Sequence, residues 1–190
     1  FSRRGYALGV AGHISFRDPE FKDHFWLNPL GYHFKQMKVS DLVMMNFAGE
    51  LVYGDVRAGD AAFCIHSEIY KAKEDVNSIA HAHPMYGKTF STLGKMLKPI
   101  SQDSCAFYER TAIFSDYDGV ANGPDEGINI AKALGDKEFC ILQNHGILTT
   151  GTMVDTAVWY FLNMEDACNP QFLLEPVVDQ KSIHHKTHVV

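Results

Sequence analysis

Hydrophobic positions recur along this chain with two periods, and each change of period marks an element. Alternation predicts strands over residues 10–16, 24–28, 39–47, 50–53, 77–83, 139–142 and 147–149. Ala48-Gly49 reads as the hairpin turn between two of them. Residues 100–114 are predicted to hold one or two further strands, broken at Glu109-Arg110. Spacings of three and four predict a helix over 61–73, with Phe63, His66, Ile69 and Tyr70 along one side. A second helix over 85–93 is closed by Gly94. Pro124 at a first helical position, Asp125 and Glu126 behind it, and Gly135 at the far end bound a third. Thr152 to Asp155 has the spacing of a capping box and opens a fourth, expected to run to about Cys168. Residues 1–8 read as the tail of a helix or an approach to the core. No repeat, low-complexity stretch or linker interrupts the pattern. It predicts one α/β domain over 1–190, a mainly antiparallel sheet with helices on its faces, and a C-terminal tail over 170–190.

Composition narrows the function classes. The 190 residues are 46% hydrophobic with a net charge of −6, enough for a full core. No Lys/Arg run suggests a nucleic-acid footprint, and no apolar run reaches membrane-span length. No signal peptide is visible, and the expected location is the cytoplasm. The first residue is Phe1 rather than Met, so a segment ahead of it is left open. Cys64, Cys105, Cys140 and Cys168 are widely spaced and read as reduced thiols. His184, His185 and His188 read as part of a solvated tail.

The candidate chemistry lies in Asn77-Ser78-Ile79-Ala80-His81-Ala82-His83-Pro84. His81 and His83 are two apart on a strand and share a face, and Pro84 ends the strand. A second apolar run ends in Gln143-Asn144-His145-Gly146. Ala82, Pro84 and Gly146 are small or turn-forming and leave room beside the imidazoles. His81, His83 and His145 are therefore expected to hold one divalent cation per subunit. Zinc comes first, with iron or manganese behind it, since imidazoles alone do not choose. Three protein ligands leave coordination positions open, as a catalytic ion requires.

The chain resembles the class II aldolase/adducin family. The resemblance rests on Gly12-His13-Ile14-Ser15, Asn28-Pro29-Leu30-Gly31, the block 37–43, the stretch 75–83, Leu134-Gly135-Asp136-Lys137 and the block 142–148. It implies a three-layer fold, a central mainly antiparallel sheet flanked by helices, assembled as a homotetramer. It also implies His81, His83 and His145 as metal ligands, in agreement with the strand reading. Sugar-phosphate aldolases of the family carry Ser-Ser-Glu (or Ser-Ser-Asp) ahead of the His-x-His strand. Here that segment reads Asp60-Ala61-Ala62, so the serines that hold phosphate are gone and Ala62 takes the acidic position, with Asp60 able to serve there if the loop is rearranged. The family's Gly-Asn-x-Ser loop becomes Gly12-His13-Ile14-Ser15, an imidazole in place of an amide.

These departures point away from a sugar phosphate. His66 lies four residues after Ala62, on the same helix side. It is read either as a base or carboxylate holder near the ion, or as a hydrogen-bonded core residue. Tyr117 is a candidate acid or a plain loop aromatic, with Tyr108 and Glu109 behind it. His13, Ser15, Asn28 and Gly31 are candidate substrate contacts, though a turn role also accounts for Asn28 and Gly31. The expected function is a metal-dependent lyase of aldolase or decarboxylase type, working through a metal-stabilised enediolate on a non-phosphorylated oxo- or hydroxy-acid. The alternatives are a non-haem iron oxygenase on the same histidines and an adducin-like assembly domain. The expected partners are a small-molecule substrate and further copies of the chain, with no nucleic acid and no membrane.

Overall fold

The alternating runs meet in one eight-stranded sheet in the computed structural model, which describes residues 1–116 and 123–174. The strands are β1 (His13–Arg17), β2 (His24–Leu27), β3 (Val43–Asn46), β4 (Leu51–Tyr53), β5 (Ser78–Ala82), β6 (Thr111–Phe114), β7 (Phe139–Leu142) and β8 (Gly146–Gly151). Their order is β4-β3-β2-β1-β5-β8-β7-β6, antiparallel throughout except for the β6–β7 pair. The helices are α1 (Asp60–Ala72), α2 (Met85–Ser91), α3 (Gln102–Cys105), α4 (Pro124–Leu134) and α5 (Val154–Leu174).

Strand alternation sends neighbouring residues into two cores. Ile79, Cys140 and Leu148 face α1 and α4, meeting Ile65, Ile69, Tyr70, Ile130 and Leu134. Ala80, Ile141 and Ile147 face the other way, onto Phe90 of α2 and Phe161, Met164 and Cys168 of α5. The result is a helix–sheet–helix sandwich in which β5 and β7 are buried on both faces. Each fully buried aliphatic or aromatic side chain contributes roughly 1.5–3 kcal/mol, so the central strands are the most strongly held.

Several expected bounds are corrected. Residues 39–41 form a single 3-10 turn, held by the Lys38 N–H donating to the Asp41 carboxylate at 2.8 Å, and the strand starts only at Val43. Residues 100–108 are not a strand. Ser101 and Ser104 cap each other reciprocally and open the short α3, leaving Thr111–Phe114 as the one strand of that stretch. The start of the chain makes a 3-10 turn, Ser2–Arg4. The fourth expected helix does not stop near Cys168. It continues past Pro170 to Leu174, and the Gln171 side-chain amide both donates to and accepts from the Lys98 backbone at 2.8 Å. Asp155 accepts from the Thr156 N–H next to it, so its carboxylate does not reach back as a capping box would require. All four cysteines are free thiols, and burial pushes Cys140 up to about 12. Among the described residues no helix is long and apolar enough to cross a membrane. Tyr117 and the histidines near the C-terminus lie outside the described residues.

Arg17, at the end of β1, ties sheet to helix. Its guanidinium donates to the carbonyls of Lys22, Tyr70, Lys73 and Val76 and lies 4.7 Å from the centre of the Tyr70 ring. Tyr70 and Lys73 sit at the C-terminal end of α1, where carbonyls lack helical partners. The buried arginine supplies those partners and sets how α1 lies over β1.

Candidate metal centre

The sheet order explains why residues far apart in sequence converge. β5 lies between β1 and β8, so the end of β5, the start of β1 and the loop before β8 share one edge of the central strands. His81 sits on β5 opposite His13 of β1. His83 lies just beyond β5, where Pro84 stops the ladder. His145 sits in the three-residue connection from β7 to β8, which turns through Asn144 at φ 60°. Asparagine accepts this left-handed backbone more readily than most side chains. Gly146 follows directly. A Cβ there would come within 2.6 Å of the Ala82 carbonyl and 3.2 Å of the His83 ring, so only glycine lets this loop approach β5 so closely.

The donor atoms of His81, His83 and His145 all lie within 4.8 Å of one another. His81 Nε2 and His83 Nε2 are 3.1 Å apart. Two nitrogens on one tetrahedral ion with 2.0–2.1 Å bonds stand about 3.3 Å apart, so the spacing fits a shared cation. His81 Nδ1–H donates to the Ile147 carbonyl at 3.0 Å, which leaves the Nε2 lone pair facing its neighbours. Burial holds His81 well below its usual range, with help from His13, His145 and His83. Burial and His83 bring His145 down to about 4, and burial and Lys88 lower His83. All three are neutral at pH 7 and carry lone pairs, the form a metal needs.

The trio opens into a cavity of about 210 Å³. Its walls are largely apolar, with Val10, Leu30, Ala61, Ala62 and Ile65, and its polar groups are His13, Asn28 and the trio itself. Among the described residues no lysine or arginine lines it. Ala61 and Ala62 therefore stand at the wall of the site, where the resemblance places serine and acid. Asn28 lines the cavity and also braces it, accepting from the Ile14 N–H at 3.0 Å and donating to the Gly12 carbonyl at 3.2 Å. Gly31 lies outside the lining and turns the chain at φ 88°. Asp60 is exposed at the start of α1, and Glu68 pairs with Lys71 at 2.6 Å.

His66 and Ser15 are not at the cavity wall. They lie behind His13, fully buried or nearly so, with His13 Nδ1 2.7 Å from His66 Nε2 and His66 Nδ1 2.5 Å from Ser15 Oγ. Burial alone brings His66 down to about 3. Burial, together with His66, His83 and His145, holds His13 well below its usual range. Tyr70 completes the run, its hydroxyl 2.6 Å from Ser15 Oγ. The sequence pattern places Tyr70 among the residues along one side of α1 and does not single out Glu165. Glu165 is buried, and its carboxylate accepts the Tyr86 and Gly87 N–H groups at 2.9 and 2.5 Å, at the start of α2 just after His83-Pro84. The one available signal was a carboxylate set among Ala167, Cys168 and Met164.

Residues 1–172 match the family model described as "Class II Aldolase and Adducin N-terminal domain". The chain is 38% identical over 177 residues to a 4-hydroxy-3-prenylphenylpyruvate oxygenase/4-hydroxy-3-prenylbenzoate synthase of Streptomyces roseochromogenus subsp. oscitans. It is equally similar, over the same length, to Decarboxylase NovR of Streptomyces niveus. Each alignment covers 92% of this chain and 64% or 66% of the relative, so the chain spans just under two thirds of their length. A solved structure titled L-fuculose 1-phosphate aldolase, from Glaciozyma antarctica PI12, superimposes with a TM-score of 0.85 at 44% identity, covering 94% of this chain and 70% of that one. The chain belongs to the class II aldolase and adducin family.

Proposed function

We propose that this chain is a divalent-metal-dependent carbon–carbon lyase, of aldolase or decarboxylase type, acting on a non-phosphorylated oxo- or hydroxy-acid. The observation that carries the reading is the convergence of three neutral imidazoles, lone pairs inward, at the floor of a cavity. His81, His83 and His145 would hold the ion, zinc first and iron or manganese behind it. When bound, the ion supplies Lewis acidity to substrate oxygens as negative charge develops on them. The protein's own part is positioning. Asn28 keeps the Gly12–Ile14 strap against β2, and Val10, Leu30 and Ile65 give the cavity an apolar wall.

The solved structure from Glaciozyma antarctica is titled for a sugar-phosphate substrate, whereas one Streptomyces relative is named a decarboxylase. That no lysine or arginine among the described residues lines the cavity, with Ala61 and Ala62 at its wall, supports the non-phosphorylated class for this chain. The same reading carries a cytoplasmic homotetramer. A second reading, a non-haem iron oxygenase on the same ligands, draws support from the relative named an oxygenase.

Elemental analysis of purified protein is the direct test. About one metal ion per subunit is expected, lost in His81→Ala together with turnover while the fold persists. Full activity in His81→Ala overturns the ligand assignment. No metal even after reconstitution favours an assembly domain. Oxygen uptake with 2-oxo acids selects the oxygenase, and carbon dioxide or aldehyde release without oxygen selects the lyase.

A further inference from the structure

Behind the cavity a hydrogen-bonded run of four side chains ends on a backbone carbonyl. His13 Nδ1 is 2.7 Å from His66 Nε2, His66 Nδ1 is 2.5 Å from Ser15 Oγ, and Ser15 Oγ is 2.6 Å from the Tyr70 hydroxyl. That hydroxyl donates to the Asn77 carbonyl at 3.3 Å. His66, Ser15 and Tyr70 are each at most 2% exposed. Nothing in the proposed chemistry uses them. Burying these polar groups is costly unless each is satisfied, so the run behaves as one unit.

A carbonyl can only accept, so it fixes the direction of the whole run. Tyr70 gives its one proton to Asn77 and takes one from Ser15. The Ser15 proton is thereby used, and Ser15 Oγ accepts from His66 Nδ1–H. Burial brings His66 down to about 3 and keeps it neutral, so its Nε2 is bare and takes the His13 Nδ1–H. Burial keeps His13 neutral as well, which leaves no proton on its own Nε2. Among the described residues no group bonds to that nitrogen, and it is not shut away from the cavity that His13 lines. His81, opposite on the paired strand with its ring centre 4.7 Å away, is arranged the same way, its Nδ1–H given to the Ile147 carbonyl. Yet among the described residues the donor atoms within 4.8 Å of one another belong to His81, His83 and His145, and His13 stands outside that group. Its lone pair lies beside the ligand trio and is not part of it.

We propose that His13 Nε2 is a neutral hydrogen-bond acceptor for the hydroxyl of a hydroxy-acid held at the trio, and that His66, Ser15 and Tyr70 are positioning residues that fix its tautomer. The substrate side of this rests on the lyase reading, whereas the tautomer does not. The oxo oxygen of an oxo-acid brings only lone pairs to a bare nitrogen, while the hydroxyl of the corresponding hydroxy-acid brings a proton. Asn28, the other polar side chain of the wall outside the trio, already uses its amide on the Ile14 N–H and the Gly12 carbonyl. Val10, Leu30 and Ile65 are apolar. His13 is therefore the group at this wall that tells hydroxy-acid from oxo-acid.

The test is 15N NMR of histidine-labelled full chain, metal-free and zinc-loaded, with the His13 signals identified by their loss in His13→Gln. A pyrrole-type Nδ1 and a pyridine-type Nε2 are expected on His13, and zinc should leave that Nε2 without the shift that ligation brings to the trio. A pyrrole-type Nε2, or a zinc-ligated one, overturns the proposal. Tyr70→Phe cuts the link to the Asn77 carbonyl, so His13 should become a mixture of tautomers with zinc stoichiometry unchanged. A single unchanged tautomer in that variant overturns the positioning role. Binding of racemic lactate and of pyruvate to zinc-loaded protein is the second readout. His13→Ala should lower the ratio of lactate to pyruvate affinity roughly fivefold, the worth of one neutral hydrogen bond. A ratio equal to that of wild type overturns the hydroxy-acid assignment. Should Tyr70→Phe fail to fold, the wild-type spectrum and the affinity ratio decide. Should zinc not bind at all, the lyase reading falls while the metal-free spectrum still decides the tautomer.

Discussion

His66 and His145 carry a pH dependence whose sign follows from burial. Both are held below the ordinary histidine range, His66 at about 3 and His145 at about 4, so the folded chain keeps them neutral where the unfolded chain takes up protons. Stability from these groups is full above pH 6.5 and is lost as pH falls from there toward the folded values. At pH 5 His66 alone withdraws about 2 kcal/mol, at about 1.4 kcal/mol for each pH unit below its unfolded value. Urea melts of the metal-free chain should therefore lose stability steeply between pH 7 and 5. His66→Gln should flatten that slope by about 2 kcal/mol over the same range. An unchanged slope would mean that His66 protonates inside the fold. His66 was expected either near the ion or as a hydrogen-bonded core residue, and it lies buried behind the cavity wall, bonded to His13 and Ser15. Those partners were not legible, because Ser15 and His13 lie more than fifty residues away on β1, and only the pairing of β1 with β5 and the seat of α1 bring them together. The convergence of His81, His83 and His145 was legible because two of them share a strand end and the third closes an apolar run before a glycine.

At the scale of elements, the first turn of α2 decides where His83 points. α2 is a seven-residue helix, too short to hold itself, and the Glu165 carboxylate of α5 takes its first free N–H groups. Burial raises the Glu165 pKa, while the two N–H groups oppose that rise and favour the carboxylate. Gly87 allows the approach, since a Cβ there would meet Glu165 at 3.0 Å and Ile147 at 2.9 Å. Glu165→Ala should cost about 1–3 kcal/mol, the usual penalty for buried donors left without a partner. It should also weaken zinc binding in a chelator competition, because the Pro84–Tyr86 turn is released. Glu165→Gln keeps an amide oxygen and should fall between the two. Equal zinc affinity in Glu165→Ala and wild type would separate α2 from the site. The period of the chain showed most elements, and it failed where polar capping decided the outcome. Ser101 and Ser104 cap the short α3 where a strand was expected, and α5 runs past Pro170. Glu165 was not singled out because its partners, the Tyr86 and Gly87 N–H groups, lie nearly eighty residues away in sequence.

For the molecule as a whole, the proposed ion would fasten together parts of the chain that meet only in the folded state. His81 and His83 come from the end of β5, His145 from the β7–β8 connection, and the unfolded chain keeps these groups more than sixty residues apart. An ion that binds the folded chain and not the unfolded one stabilises it by mass action. At free zinc a thousandfold above its dissociation constant the gain is about 4 kcal/mol. For a domain of this size each kcal/mol shifts the melting temperature by about 2–4 °C, so a rise of about 10 °C is expected. Chelator should reverse it, and His145→Ala should abolish it while leaving the metal-free melting temperature near that of wild type. The last comparison separates a designed site from loose binding to surface histidines. His24, His33, His184, His185 and His188 remain in the variant, so a zinc-dependent rise that survives His145→Ala would belong to histidines outside the intact trio.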